Sequence, residues 1–468
     1  MTNHYDAIII GAGMSGLAAG IRLAMFDKKV LILEKHVIAG GLNSYYQRRN
    51  KELGGVRLFD VGLHALTNFA KKGERKKPLT KLLKQLRISY DDLKLHEQSH
   101  SLIHFPDTIL KFNNDFDVLK NEIEIAFPKQ KDGFYNLLEK INTFDELNLN
   151  QGYSPSKSVL EKYISDPLLI EMLLCPLLIY GSAWEDDMDF AQFVIMFKSL
   201  YMEGFSRPED GVRTVLNLLT DKYQSVGGEL NYREGVESII TKNGKSVGVK
   251  TKKNEYTANM IFSSAGLPET ISLCDEVEMV KQPAVGNMSF MESIIITDKK
   301  IRLSDFDSTI VFYNDSSKYH YKKSEGLFDP RSAVFCCPDN YELENREGEG
   351  TLRVTFMANY DKWKTLAKSE YKEKKEIVND ESLKLIKKLI PNFDYEVRFS
   401  DVFSPTTVER YTSHFKGTVY GSTDKARDGK TPFENLYIIG TDQGFLGIVG
   451  SMLSGISIAN LYGLMEQK

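Results

Sequence analysis

Two short apolar runs separated by a helical stretch lie near the start of the chain. Ala7 to Ile10 has the length and composition of a buried strand. Leu17 to Phe26 has the composition of a helix, and Val30 to Leu33, which is followed by Glu34, has that of a second buried strand. The pattern therefore predicts a strand, a helix and a strand before residue 35.

The middle of the chain carries an alternating pattern that is typical of strands. Residues 211–226 predict a helix that ends at two glycines, and residues 232–265 predict a β-meander. Within the meander, Val236 to Ile240 alternates, and Lys242 to Lys245 has the residues of a hairpin turn. We expect this stretch to return to the sheet that the first two strands begin.

The rest of the chain divides into a C-terminal unit and two insertions. Leu436 to Ile439 predicts a strand, and Ser451 to Leu464 predicts a long apolar helix. Residues 71–207 are largely helical in pattern, whereas residues 281–409 contain strand-like runs such as Thr351 to Phe356. The two insertions predict a sheet covered by helices that could enclose an apolar tunnel.

A glycine-rich loop joins the first predicted strand to the first helix. In Gly11-Ala12-Gly13-Met14-Ser15-Gly16, Gly11 would permit a tight turn, Gly13 would let the backbone approach a pyrophosphate, and Gly16 would let the helix lie close to the strand. The helix N-terminus would supply N–H groups to the phosphates, and Glu34 would bind ribose hydroxyls. Glycines also mark plain turns, but the complete order of strand, loop, helix, strand and acid indicates dinucleotide binding.

A second glycine pair, Gly40-Gly41, follows shortly after Glu34. A second close approach of the backbone to the cofactor would explain the pair, which is unusual in NAD dehydrogenases. This spacing favours FAD.

A third glycine-rich loop connects the last predicted strand to the last helix. In Gly440-Thr441-Asp442, the acid would bind a ribityl hydroxyl of FAD. The amides near Ile448 and Val449 would face the flavin edge that becomes anionic on reduction, where a helix N-terminus favours the reduced form. The alternative is a glycine-rich turn that binds no ligand.

These segments resemble FAD enzymes of the phytoene desaturase, carotenoid isomerase and retinol saturase family. The second glycine pair is similar to their extended dinucleotide signature, although Leu42 stands where Arg or Lys is usual. Phe59 to His64 resembles their F-D-x-G-x-H stretch, and Thr407 to Tyr411 resembles the segment before their last FAD motif. The glycines around Asp442 are nearer to those of retinol saturase than to those of bacterial phytoene desaturase.

The resemblance implies an α/β fold with a discontinuous, Rossmann-type FAD-binding domain of the two-dinucleotide-binding class. That domain would comprise residues 1–70, 208–280 and 410–468, and residues 71–207 and 281–409 would form an inserted α+β substrate domain. The resemblance also places Val236 at the adenine and His64 near the flavin. The residues expected at the cofactor are Gly11, Ala12, Gly13, Ser15, Gly16, Glu34, Lys35, Gly40, Gly41, Ser44, Val236, Ala265, Gly266, Gly440, Asp442, Gly447, Ile448 and Val449.

The implied function is FAD-dependent chemistry on carbon–carbon bonds of an apolar polyene or isoprenoid, by desaturation, saturation or isomerisation. His64 could position the substrate, move a proton or be a packed histidine. A noncovalent flavin amine oxidase is the first alternative, because the absence of cysteine after Cys337 excludes a cysteinyl flavin there. A flavin-free prenyl-lipid-binding protein, like Rab GDP-dissociation inhibitor, is the second.

Composition adds few constraints to this picture. The net charge of -4 over 468 residues gives no electrostatic reason to expect nucleic-acid binding. Four cysteines without C-x-x-C spacing fit a reducing cytoplasm, and no basic region precedes an apolar one at the N-terminus, so we expect no signal peptide. His96, His100 and His104 are four apart, but a predicted strand breaks their common face, so no metal site is expected.

Two segments bear on membrane contact. Gly444 to Met465 lacks charge, but its Gly, Ser and Asn residues favour a buried helix over a membrane span. Lys71 to Arg87 is basic and amphipathic, which predicts either contact with anionic headgroups or a solvated helix face.

Overall fold

The computed structural model describes residues 4–52, 54–62, 64–342, 344 and 347–465. The strands are β1 (His4–Ile10), β2 (Val30–Leu33), β3 (Tyr45–Arg49), β4 (Val56–Asp60), β5 (Leu95–Glu97), β6 (Ser101–Phe105), β7 (Thr108–Phe112), β8 (Ser206–Pro208), β9 (Glu229–Asn231), β10 (Val236–Lys242), β11 (Lys245–Thr251), β12 (Glu255–Ser263), β13 (Ser289–Thr297), β14 (Ile310–Asn314), β15 (Phe328–Cys336), β16 (Gly350–Ala358), β17 (Val397–Phe403) and β18 (Leu436–Ile438). The α-helices are α1 (Met14–Ala24), α2 (Pro78–Leu86), α3 (Phe116–Ala126), α4 (Lys131–Thr143), α5 (Ser156–Leu160), α6 (Pro167–Gly181), α7 (Phe190–Phe197), α8 (Val212–Ser225), α9 (Leu267–Ser272), α10 (Tyr360–Lys364), α11 (Lys368–Leu389), α12 (Pro405–Thr412) and α13 (Gly447–Ile458).

The first sheet has the order β10-β11-β12-β1-β2-β9, with β18 beside β12. Strands β18, β12, β1, β2 and β9 are parallel, whereas β10, β11 and β12 form the antiparallel meander. The register pairs Ile10 with both Leu33 and Ser263, and Ser263 with Ile438. Four parallel strands therefore end at one edge of the sheet, which is where ligands bind in open α/β sheets.

Helices cover this sheet because β2 and the second half of β1 are apolar. Strand β2 is fully buried, and α1, α8 and α13 pack over one face of the sheet. Close packing of α13 on α1 requires Gly455, since a Cβ added there would lie 2.1 Å from the carbonyl oxygen of Ser15. The segment Gly447–Leu464 is long and apolar enough to span a membrane, but 56% of it is buried against the rest of the chain.

The second sheet has the order β17-β13-β16-β15-β14-β6-β7 and is antiparallel except between β14 and β6. Strand β13, the second from one edge, is buried along its whole length. The helices α3, α4, α6 and α7 contribute to a core on one face, and α11 packs on the other face through Val378 and Ile386. This sheet and its helices correspond to the sheet that the two insertions predict.

Each main sheet draws its strands from separate parts of the chain. The first takes them from residues 4–33, 229–263 and 436–438, and the second from residues 101–112 and 289–403. Two small ladders lie outside both main sheets: β3 pairs with β4, and β5 pairs with β8. The domain boundaries given above stay a prediction.

Candidate functional site

A cleft of about 250 Å³ opens at the edge where the parallel strands of the first sheet end. Its walls come from loops that are distant in sequence, including those after β1, β2, β12 and β18. Ten of the residues predicted at the cofactor line it: Gly11, Gly13, Ser15, Glu34, Lys35, Gly40, Gly41, Val236, Ala265 and Gly440. The cleft therefore gathers all three predicted glycine loops.

The first glycine loop has the geometry that its sequence predicts. Gly11 has a φ of 91°, and a Cβ added at Gly16 would lie 2.1 Å from the carbonyl oxygen of Gly11. Gly13 is the N-cap of α1 without a side-chain hydrogen bond, and the first turn contains no acidic residue. The first amides of α1 are therefore available to an anion in the cleft.

Glu34 is buried and holds two loops together. Its carboxylate accepts hydrogen bonds from the backbone N–H of Ala12 and from that of His36, each at 2.8 Å. Because a carboxylate has about four acceptor sites, the side chain can also accept hydrogen bonds from ribose hydroxyls.

The second glycine pair turns the chain back toward α1. Gly40 has a φ of 117°, and its N–H donates to the carbonyl of Ala12 at 2.9 Å. No atom lies within 4 Å of the place where a Cβ of Gly41 would be, so the backbone there is open to a ligand. Ser44 donates to the carbonyl of Ala39 at 2.8 Å and lines an adjoining cavity instead of the cleft.

Asp442 is held by several contacts within the protein. Its side chain is buried and accepts hydrogen bonds from the N–H of Leu267 at 2.6 Å and from that of Ser422 at 2.9 Å, and it pairs with the ammonium of Lys425 at 3.0 Å. These contacts satisfy the N–H groups of two loops and one cation. Because a carboxylate has about four acceptor sites, one more donor can still bind, and the ribityl contact of Asp442 stays a prediction.

The other predicted residues do not line the cleft. Gly447 starts α13, and the side chains of Ile448 and Val449 are buried in the core below it. The residues predicted at the cofactor that do not line the cleft are Ala12, Gly16, Ser44, Gly266, Asp442, Gly447, Ile448 and Val449.

A larger cavity of about 540 Å³ adjoins the cleft, between the second glycine loop and the edge of the second sheet. The cleft and the cavity share Gly41, Leu42, Tyr411 and Thr412. The cavity is lined mainly by apolar and aromatic side chains: Val37, Ile38, Leu42, Tyr45, Tyr46, Val61, Tyr371, Val402, Phe403, Val408 and Tyr411.

The charged residues of this cavity are mostly cationic. Asp401 lies 3.0 Å from the guanidinium of Arg48 and 3.7 Å from the ammonium of Lys375, and Arg410 is a third cation in the wall. The hydroxyl of Tyr46 is buried and has no hydrogen-bond partner within the described part of the chain, and burial raises its pKa. The cavity therefore combines apolar walls, a net positive charge and an unused hydroxyl.

His64 lies beyond the inner wall of the cavity, in a buried polar cluster. Its Nε2 is 3.3 Å from Thr355 Oγ1 and 3.5 Å from Glu292 Oε2. Arg353 binds Glu292 through its guanidinium and donates to the carbonyl of Val61 at 2.6 Å. Burial raises the pKa of Glu292, but Arg353 and His64 outweigh that effect and hold it below the ordinary value, so the carboxyl is ionised.

The segment around His64 lies between two cofactor loops. A Cβ added at Gly62 would be 2.4 Å from the carbonyl oxygen of Leu42, and one added at Gly447 would be 3.6 Å from Thr67 Oγ1. The chain from Gly62 to Thr67 thus contacts the second glycine loop and the start of α13. Leu63 lies outside the described residues.

Sequence reasoning missed Glu292 and Arg353. The register pairs Glu292 with Thr355 and Ile294 with Arg353, so the two charges are diagonal neighbours on one face of the sheet. The available signal was a single charge inside each of two apolar strands, which is unusual unless the charges are paired.

The basic segment Lys71 to Arg87 exposes its charged side chains but not its apolar ones. Its leucines Leu79, Leu82, Leu83 and Leu86 are buried in the core beneath α2, whereas the lysines and arginines mostly point outward. The apolar face is thus unavailable to a bilayer. No group of three or more metal-ligating side chains occurs among the described residues.

The cleft fits FAD by its donor set. The open amides of α1, the acid at the end of β2, and the glycine backbone at Gly41 match a pyrophosphate, a ribose and a closely approaching cofactor chain.

Comparison with known proteins supports the same assignment. The family described as flavin containing amine oxidoreductase matches residues 14–461. Prolycopene isomerase 2 of an Oncidium hybrid cultivar is 26% identical over 98% of this chain and 83% of its own length. The all-trans-retinol 13,14-reductase of Danio rerio is 21% identical over 97% of this chain and 85% of its own length.

Solved structures share the fold. An oxidoreductase from Methanosarcina mazei has a TM-score of 0.66 at 18% identity, covering 97% of this chain and 99% of its own. Cyclohexylamine oxidase from Brevibacterium oxydans has a TM-score of 0.61 at 13% identity, covering 98% and 99%. The resemblance stated from the sequence is confirmed, and the chain belongs to the flavin containing amine oxidoreductase family as an FAD-dependent oxidoreductase.

Proposed function

We propose that the protein acts on carbon–carbon double bonds of an apolar polyene or isoprenoid. The observation that carries this proposal is the cavity of about 540 Å³, which has apolar and aromatic walls and shares four residues with the cofactor cleft. The relatives named as a prolycopene isomerase and a retinol reductase support the same substrate class. Desaturation, saturation and isomerisation are all compatible with this arrangement.

The cofactor cleft would hold FAD mainly through the backbone. The amides of Gly13 and Ser15 would bind the pyrophosphate, Glu34 the ribose next to the adenine, and the backbone of Val236 the adenine. When bound, FAD supplies hydride transfer. The residues of this chain orient the substrate, exclude water and place charge. We propose residues 1–70, 208–280 and 410–468 as the FAD-binding domain and the two insertions as the substrate domain.

The charge of the cavity argues against an amine substrate. Asp401, the carboxylate among the lining residues, already pairs with Arg48 and Lys375, and Arg410 adds a third cation. A protonated amine would be repelled by this excess of positive charge, whereas an uncharged polyene would not be. The amine-oxidase alternative is therefore less well supported by the cavity than the polyene proposal.

An absorption spectrum followed by anaerobic titration tests the proposal. We expect purified protein to show flavin bands that bleach when an oxidisable polyene is added and that persist with amines. If an amine bleaches the flavin and no member of a carotenoid and retinoid panel does so, in either redox direction, the polyene proposal is wrong.

A cavity variant adds a matched control. Phe403→Asp places a charge in the apolar wall, so we expect polyene turnover to fall at least about tenfold while FAD stays bound. Phe415→Asp, also at a partly exposed ring but in the cofactor cleft instead of the cavity, should instead weaken FAD binding.

The basic side chains of Lys71 to Arg87 suggest a further, electrostatic contact. We propose that they bind anionic headgroups without insertion, because the leucines of α2 are buried inside the protein. Attraction of this kind is worth about 1 kcal/mol per basic residue near the surface and is screened by salt.

A further inference from the structure

We propose that Glu292, anchored by Arg353, is a positioning residue that fixes the ring of His64 and leaves its Nδ1 as the proton-exchanging atom beside the cofactor. This inference rests on the proposed function, because it assigns a task within the same reaction. It follows from the buried cluster and from where the chain around His64 lies.

The geometry orients the imidazole. An ionised carboxylate can only accept, so His64 Nε2 carries the hydrogen that points toward Glu292 and Thr355. Nδ1 makes no hydrogen bond to the described residues, which leaves it to a molecule in the site. Gly62 contacts the second glycine loop and Thr67 contacts Gly447, so the segment that carries His64 contacts both of these cofactor loops.

Burial of the charged pair Glu292 and Arg353 is not explained by stability alone. The side chains of Glu292 and Arg353 are 5% and 3% exposed, and a buried ion pair of this kind is often no more stabilising than two apolar side chains of equal volume. Thr355 and the carbonyl of Val61 complete the hydrogen bonds of the cluster. The unfavourable desolvation of the two charges is explained if the pair holds His64 in one orientation.

The neighbouring titratable groups leave Glu292 as the anion beside His64. Burial raises the pKa of Tyr180 on α6, of Tyr46 on β3 and of Cys336 on β15, so these groups stay neutral. Asp60 on β4 is 2.5 Å from the guanidinium of Arg207, which neutralises it. The positive charge of Arg353 is paired with the carboxylate of Glu292.

The proton balance is simple. When the imidazolium of His64 gives up its Nδ1 proton, the N–H bond breaks, its electron pair stays on nitrogen, and the proton passes to the substrate or to water. Nε2 keeps its hydrogen throughout, next to Thr355 at 3.3 Å and to the carboxylate of Glu292 at 3.5 Å. The reverse step takes up a proton at the same atom, so Glu292 never exchanges its own.

Histidine-selective ¹⁵N labelling of the full-length FAD-bound protein tests the inference. The chain has eight histidines, and loss of one signal in His64→Gln assigns His64. We expect its Nε2 proton to be observable and slow to exchange, and Glu292→Gln to speed that exchange at least about tenfold, since a charge-assisted hydrogen bond is roughly twice as strong as a neutral one. An exchange rate equal to the wild-type rate in folded, FAD-bound Glu292→Gln would overturn the proposal.

Two further variants keep the test decisive. Glu349→Gln removes a carboxylate from another arginine pair of the chain, that with Arg57, and should leave the His64 signal unchanged. If Glu292→Gln does not fold, Thr355→Val removes only the hydroxyl neighbour of Nε2. We then expect a smaller acceleration of proton exchange. An exchange rate equal to that of the wild type would contradict the orientation of the ring.

A kinetic readout separates this inference from the proposed function. With any substrate that the FAD-bound enzyme turns over, Glu292→Gln should change the shape of the pH profile of turnover, whereas a purely structural role would lower the rate at every pH alike. The NMR result needs no substrate. If His64 is oriented as expected but no polyene reacts with the protein, the proposed function is wrong and this inference still holds.

Discussion

The cofactor cleft and the His64 cluster are built in opposite ways. The cleft is made of backbone: glycines at positions 11, 13, 40 and 41 and amides at the start of α1, each next to a strand that ends at the same edge. The cluster is made of side chains from β13, β16 and the stretch after β4, and His64 and Thr355 are 291 residues apart in sequence. Local sequence thus specifies the first, and strand register specifies the second.

The two regions also differ in what disturbs them. A backbone cradle tolerates most side-chain changes but not an added Cβ where the chain has no room. A buried charge cluster tolerates an isosteric, paired replacement but not the loss of one partner. Variants that add a Cβ or remove a charged partner test this difference.

Gly16→Val should abolish FAD binding. An added Cβ would lie 2.1 Å from the carbonyl oxygen of Gly11, so α1 would have to move away from the phosphate site. We expect FAD affinity to fall at least about 100-fold, which corresponds to about 2.7 kcal/mol. Flavin absorbance after gel filtration measures it. Gly152→Ala, at a glycine with open space around it, is the control and should keep its flavin.

Glu292→Ala should destabilise the fold strongly, because it leaves Arg353 charged and buried. We expect a loss of about 3–5 kcal/mol in the free energy of unfolding. The double variant Glu292→Leu/Arg353→Met should lose much less, since no charge is then left unpaired. Urea unfolding of the wild type, Glu292→Ala and the double variant measures the difference, and a double variant less stable than Glu292→Ala would contradict this view of the cluster.

Asp442→Ala should act on stability even without cofactor. It leaves two buried N–H groups without their acceptor and removes the carboxylate partner of Lys425, whose ammonium then keeps only the carbonyl of Tyr420 among the acceptors described here. We expect the FAD-free protein to lose about 2–3 kcal/mol. Thermal unfolding with and without added FAD is the measurement. If the stability of the FAD-free protein is unchanged and only the FAD affinity falls, the result would support the ribityl contact predicted from the sequence.

Acid should weaken the His64 cluster. The pKa of Glu292 lies below its ordinary value of about 4.5, because Arg353 and His64 outweigh the effect of burial. A carboxyl with a lowered pKa contributes stability above the unfolded-state pKa and loses it as pH falls through the folded-state value. Stability should therefore drop below about pH 4.5 in the wild type and drop less steeply in Glu292→Gln. Urea midpoints measured from pH 6 downward test this.

The smallest effect concerns the basic segment at α2. Co-sedimentation with phosphatidylserine vesicles should detect weak binding at low salt that disappears near about 0.5 M salt, because screening removes surface attraction. Lys81→Gln/Lys84→Gln should reduce the binding, whereas Lys374→Gln/Lys384→Gln, on exposed positions of α11, should not. Binding that survives high salt would indicate insertion and contradict the buried leucine face.

Much of the fold was predictable because it follows from local patterns. The isoleucine run of β1, the hairpin turn at Asn243-Gly244 and the strand Leu436 to Ile438 lie where the sequence predicts them. The helix α13 starts at Gly447, four residues before the predicted start at Ser451, because glycine and β-branched residues there obscure the boundary. The FAD assignment is confirmed by the family match.

What the sequence by itself determined is the chemistry that depends on residues close together: glycine turns, the acid after β2 and the order of strands and helices. What only the tertiary structure decided is where side chains meet. It turned Asp442 toward Ser422 and Lys425, buried the leucines of α2, and brought Glu292 and Arg353 to His64. The reason is physical, since a strand slipped by one residue turns every side chain to the other face, and no local pattern records that register.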